Sequence, residues 1–282
     1  MRNIFLYSLS VGMRQWRIAA IVYCVQMGLA LTLGMQVYSV LESSIGHSLE
    51  VNQLLIHYDH TVLTDFLKVH GASITPLIGQ LRWLLLVWLF FSVFTDAGLL
   101  ACVASPEQAS GRFFWASGAG YFFPFLKIGL FFLLLAVVWT AIIWAPVALS
   151  LESWLQNFPS EKYAVGLVLA LLFLYLLGLA VLFIWSVVSR WIKIKTGVSL
   201  PASLQTGWQS FWKNKSNLLM VLVGFVALQI FLVGVYWLLE SVSGMTSPLL
   251  VLIFFVVQQA FVFFRIQIRQ MMYASFSALT VT

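Results

Sequence analysis

Charge is what this sequence most lacks. Only 9% of its 282 residues are Asp, Glu, Lys or Arg, against about a quarter in a soluble domain, and 62% are apolar. That composition excludes an ordinary water-facing globule. Cysteine is almost absent: Cys24 and Cys102 both fall inside apolar runs, which excludes a disulfide framework and leaves two small buried side chains. No HExxH, paired CxxC, phosphate-binding loop, Ser-His-Asp arrangement or pair of intramembrane acids occurs, so the usual catalytic signatures are missing and no cofactor or metal is expected.

What is there is uninterrupted apolar length. Ile18–Leu41, Ile128–Leu151, Tyr163–Ser189, Ser216–Leu239 and Ser241–Phe264 contain no charged residue, and each is at least 24 residues long. About 20 helical residues cross a hydrocarbon layer. A sixth stretch, Leu77–Ala104, is as long but carries Arg82 and Asp96. Backbone amides find no water in lipid, so each span must be a helix or part of a closed barrel, and continuous runs without two-residue alternation exclude the barrel. The sequence therefore predicts an all-α integral membrane protein, a single domain over 1–282. Its six transmembrane helices lie near 18–41, 77–104, 125–150, 164–188, 218–240 and 248–265. The first run is too long for a signal peptide and ends in Glu42-Ser43-Ser44 without a small-residue cleavage site, so it reads as an uncleaved anchor.

The basic residues orient the chain. With the amino terminus in the cytoplasm, twelve of the fifteen fall inside, from Arg2 and Arg14 to Arg265 and Arg269, and only Lys68, Arg82 and Lys162 fall outside. Every short loop then obeys the positive-inside rule, with both termini cytoplasmic. The net charge of +6 is thus a topology signal, and no nucleic-acid partner is expected.

Three outward spans are each preceded by Gly-x-x-x-aromatic: "GMRQW" from Gly12, "GAGYF" from Gly118 and "GWQSF" from Gly207. Leu200, Leu204, Trp208 and Phe211 recur at helical spacing, as in a helix lying in the headgroup layer with its basic side toward anionic lipid. The chain then reads as three hairpins, each entered through an interfacial amphipathic elbow, at 1–17, 105–124 and 190–217. The alternative is chance recurrence, since glycine and aromatics are abundant here.

The stretches "DAGLLACVASPEQASGRFFWASGAGYFFPFLKIG" and "SRWIKIKTGVSLPASLQTGWQSFWKNKSN" resemble a broad group of bacterial six-span proteins, over roughly residues 95–217. That group is related to the membrane domain attached to some glycerophosphoryl diester phosphodiesterases. The soluble phosphodiesterase domain and its acidic metal ligands have no counterpart here. The resemblance implies an accessory or transport-like protein of a bacterial inner membrane, and carries over no catalytic residue.

Two polar features remain. All four histidines lie between His47 and His70, in an outer segment, 42–76, expected to form a short amphipathic helix on the membrane. On that helix His57 and His60 share a face, and with Asp59 or Asp65 they would suit zinc or copper, but Lys68 on the same side would repel a cation. The alternative is that they are the wet side of a surface helix. Asp96 has two readings: an intramembrane ion-pair member, with Arg265 of the sixth span as its partner, or the cap of a new short helix over 97–104. Function divides the same way. A non-enzymatic subunit docking on another membrane protein or on a second copy of itself is favoured, because few span residues are polar. A small permease for an unidentified solute or lipid is the alternative.

Overall fold

A computed structural model describes residues 2–45, 60–157, 161–243 and 248–281, and every element in them is helical. The helices are α1 (Arg2–Arg14), α2 (Trp16–Ile45), α3 (His60–Ala104), α4 (Gly111–Asn157), α5 (Glu161–Thr196), α6 (Leu200–Ser243) and α7 (Pro248–Val281). α2 to α7 each contain a stretch long and apolar enough to cross a membrane, so the protein is an all-α, six-span membrane protein. Forty-seven residues of α4 span about 70 Å at 1.5 Å per residue, well beyond the hydrocarbon thickness, so the spans continue into their flanks.

Residues 60–76 do not form a separate surface helix: α3 runs unbroken from His60 through the second span to Ala104. The sixth span likewise continues past Arg265 to Val281. The turns that separate spans two from three and four from five are short. Ser110 opens α4, its Oγ accepting the Phe113 amide at 3.2 Å. Gly197 ends α5 in the left-handed conformation (φ 66°), as a C-terminal glycine does, and Lys193 donates to the Val198 and Gly197 carbonyls just beyond.

By compactness the chain has two units. Residues 21–92 form one, in which a groove of about 300 Å³ is lined by residues of α2 between Leu29 and Gln36 and of α3 between Gln80 and Val87. Residues 1–20 and 93–282 form the other. Its α4 packs on α5, α5 on α6, α6 on α7, and α1 on α7.

The core of this second unit sits at one end, where the turns and α1 lie. Ala97, Leu99, Leu100 and Cys102 of α3, Ile184 and Val188 of α5, and Tyr273, Ala274 and Phe276 of α7 are almost wholly buried there. Toward the other end the helices expose their side chains, as Leu149, Phe173, Ile230 and Trp237 do. Apolar side chains meeting lipid tails incur no hydrophobic penalty, so a membrane protein needs no core along its whole length.

The three glycine motifs have one structural role. A Cβ on Gly118 would lie 2.6 Å from the Phe94 ring of α3, one on Gly207 would run into Ser189 Oγ of α5, and one on Gly12 would lie 2.7 Å from Met271 Cγ of α7. Each elbow is pressed by its glycine onto a returning span. The second and third elbows take the span just before them, and the first takes the last span, which completes the cycle. Each elbow also ends near a residue that breaks a helix or lacks an amide donor. Gln15 interrupts α1 and α2, Pro124 lies within α4, and Asn214 (φ −118°, ψ 20°) breaks the helical geometry of α6. Gln15 and Asn214 also tie their elbows down. Gln15 Nε2 donates to the Cys102 carbonyl at 2.9 Å, and Asn214 Nδ2 to the Leu279 carbonyl at 3.0 Å.

Candidate functional site

The three returning spans converge on Asp96. It lies inside α3, with continuous helix on both sides, so it does not cap a new helix over 97–104. Its carboxylate accepts from three donors on two other helices. Arg190 Nη1 of α5 reaches Oδ2 at 3.0 Å, Tyr273 Oη of α7 donates to Oδ1 at 2.7 Å, and Arg269 Nη2 also bonds Oδ1. Arg269 Nε in turn donates to Tyr273 Oη at 2.9 Å, so the phenol both accepts and donates. The side chains of Asp96 and Arg190 are 10% and 12% exposed, that of Arg269 33%.

Arg265 is not the partner expected for this acid. It lies one helical turn before Arg269, is exposed, and faces a groove between α6 and α7. The turn between the two arginines decides the matter: only Arg269 is level with Asp96. Sequence reasoning placed Arg190 merely at the edge of the third elbow. Its signal was present, since it ends the uncharged run Tyr163–Ser189 just as Asp96 sits near the end of the second span.

Two guanidiniums around one carboxylate leave a net charge of +1, and the second arginine is held by more than charge. The Arg190 guanidinium lies 5.6 Å from the Phe125 ring centroid of α4. A Cβ at Gly129, one helical turn further along α4, would come within 3.3 Å of its Nη2. Around this knot the packing is aromatic. Trp185 Nε1 donates to the Leu204 carbonyl of the third elbow at 2.9 Å, and its ring stands edge-on to Phe132 and close to Trp208. Lys195 reaches the Ala104 carbonyl at 3.0 Å and satisfies one of the open carbonyls at the end of α3.

A wider cavity of about 590 Å³ opens between α1 and the turn after α3, and Tyr7, Arg14, Gln15 and Glu107 line it. Of the histidines singled out in the sequence, His57 lies outside the described residues and His60 is the first residue of α3. Among the described residues, no three His, Cys, Asp or Glu side chains are grouped to hold a metal ion. Cys24 and Cys102 are free thiols.

Chemically the Asp96 knot can cross-link helices. It has no activated nucleophile, and its acid is bonded on both oxygens. Fold and site together define a polytopic α-helical membrane protein whose returning spans are pinned at one end by a buried ionic cluster. No protein-family model, curated protein or solved structure matches the chain.

Proposed function

We propose that the protein is a non-enzymatic subunit of a bacterial inner membrane that docks on another membrane protein, with both termini and the Asp96 end in the cytoplasm. The observation that carries this reading is how its polar groups are used. Asp96, Arg190, Arg269 and Tyr273 satisfy one another and brace α3, α5 and α7, instead of lining a wet path. A solute route through six helices needs polar groups at successive depths, whereas this cluster is at one end. Beyond the knot, the third to sixth spans present broad apolar faces, including Phe173, Phe231 and Trp237, for lipid or a neighbouring helix bundle. The basic residues around the elbows favour the cytoplasmic side for that end and contact with anionic lipid there.

Affinity purification of the tagged chain from native membranes in a gentle detergent tests the proposal. A membrane protein recovered in fixed stoichiometry, and lost when lipid-facing aromatics of α5 or α6 are replaced, supports it. An isolated chain that alone drives solute uptake or efflux in liposomes overturns it in favour of the permease.

A further inference from the structure

The groove between α6 and α7 has an unusual wall for a span. It holds about 330 Å³, and its lining is apolar (Val226, Val233, Phe261, Ile268) except for Gln229 of α6 and Arg265 of α7. Neither polar side chain has a hydrogen bond or ion pair among the described residues, whereas Arg269, one turn along the same helix, is fully engaged. A cation in a membrane span costs roughly 2.5–3.5 kcal/mol on insertion scales and is normally paired or hydrated. No acid lines this groove, and Asp96 is already taken by Arg190, Arg269 and Tyr273. Among the described residues no anion serves Arg265, and one from outside the chain would complete the site.

We infer that this groove binds one anionic phospholipid, its phosphate held by Arg265 and Gln229 and its acyl chain along the apolar wall. The planar guanidinium offers two parallel N–H donors to phosphate oxygens, and the Gln229 amide adds a third. The absence of an acid from the lining leaves nothing to receive the ammonium of a zwitterionic headgroup, so a lipid with net negative charge fits best. Ile230 and Val233 of the lining and the neighbouring Phe264 are exposed, so the mouth of the groove is rimmed by apolar side chains suited to lipid tails. The excess positive charge of the Asp96 knot, one helical turn away, adds to the attraction. This site is independent of any docking partner.

The test uses the full chain, stripped of native lipid in detergent and titrated with dioleoyl-phosphatidylglycerol, with native mass spectrometry counting bound lipid. Wild type should bind one phosphatidylglycerol in preference to dioleoyl-phosphatidylcholine. Losing charge-assisted hydrogen bonds should weaken binding roughly tenfold or more in Arg265→Gln. Arg265→Lys should recover part of that loss. Val233→Trp, which fills the groove and leaves the charge in place, should also weaken binding. Because Arg265 is exposed and unbonded, Arg265→Gln should melt with wild type, so lost binding will not reflect unfolding. Equal retention in Arg265→Gln, equal binding of phosphatidylcholine, or insensitivity to Val233→Trp would overturn the proposal. Binding of oleate with no binding of phosphatidylglycerol would overturn it as well, since the occupant would then be a free carboxylate.

Discussion

Replacing Asp96 by Asn keeps the shape of the side chain and removes its charge. The loss can be sized from the contacts. One carboxylate serves Arg190, Arg269 and Tyr273, and the Asn amide would turn an NH2 group toward at least one of these donors. Breaking a fully buried pair costs about 3–5 kcal/mol, because the surviving charge stays desolvated. Arg269 is one-third exposed, so water relieves part of its share. We therefore expect a loss of about 3 kcal/mol for Asp96→Asn. Arg190→Gln should lose less, about 1–2 kcal/mol, since the carboxylate keeps Arg269 and Tyr273. Equilibrium unfolding in mixed micelles, followed by tryptophan fluorescence, measures these values. The double mutant Asp96→Asn/Arg190→Gln should fall short of the sum by about 1–2 kcal/mol, whereas Asp96→Asn with Arg265→Gln should be additive to within about 0.5 kcal/mol. Additivity of Asp96→Asn with both Arg190→Gln and Arg269→Gln would refute the ionic knot. Coupling to Arg265 alone would restore the pairing expected from the sequence.

Gly207→Ala should destabilise by about 1–3 kcal/mol in the same assay, because its Cβ meets both Oγ and the backbone Cα of Ser189. Gly120→Ala, two residues beyond the pressed Gly118 with nothing within 4 Å, should be neutral or gain up to about 1 kcal/mol. Asn214→Leu should cost about 1 kcal/mol by losing the bond to the Leu279 carbonyl, and proteolysis of opened membranes should then clip the C-terminal residues faster. Cysteines placed at Gln108 and Gly197 should react with an impermeant thiol reagent only after the membrane is opened, and one at Lys162 before; the reverse pattern would invert the topology. Replacing both His57 and His60 by Gln should leave the metal content of the purified protein unchanged.

Hydrophobic run length made the spans readable from sequence, because a span answers to a single requirement: about 20 residues without charge, every amide bonded within the helix. The second span was readable for the same reason, despite Arg82 and Asp96. The partner of Asp96 was not. Choosing among Arg190, Arg265 and Arg269 requires the axial offset between helices, and an error of one turn, about 5.4 Å, exchanges one arginine for the next. Sequence carries no direct record of that offset, yet the glycines hold an indirect one. Gly118, Gly207 and Gly12 fix where each elbow meets a returning span, at Phe94, Ser189 and Met271. Asp96 follows Phe94 by two residues, Arg190 follows Ser189 by one, and Arg269 and Tyr273 lie two residues either side of Met271. Aligning the three elbows on their glycines therefore brings the acid, both bonded arginines and the tyrosine to one level and leaves Arg265 more than a turn away. Residues 60–76 suit a surface helix by pattern, and Gly71 and Pro76 stand where a break before the following span would fall, yet α3 continues through both. A glycine and a proline are therefore a weak marker of a helix end, because a helix already nucleated on one side gains one hydrogen bond per added residue and can run on through both.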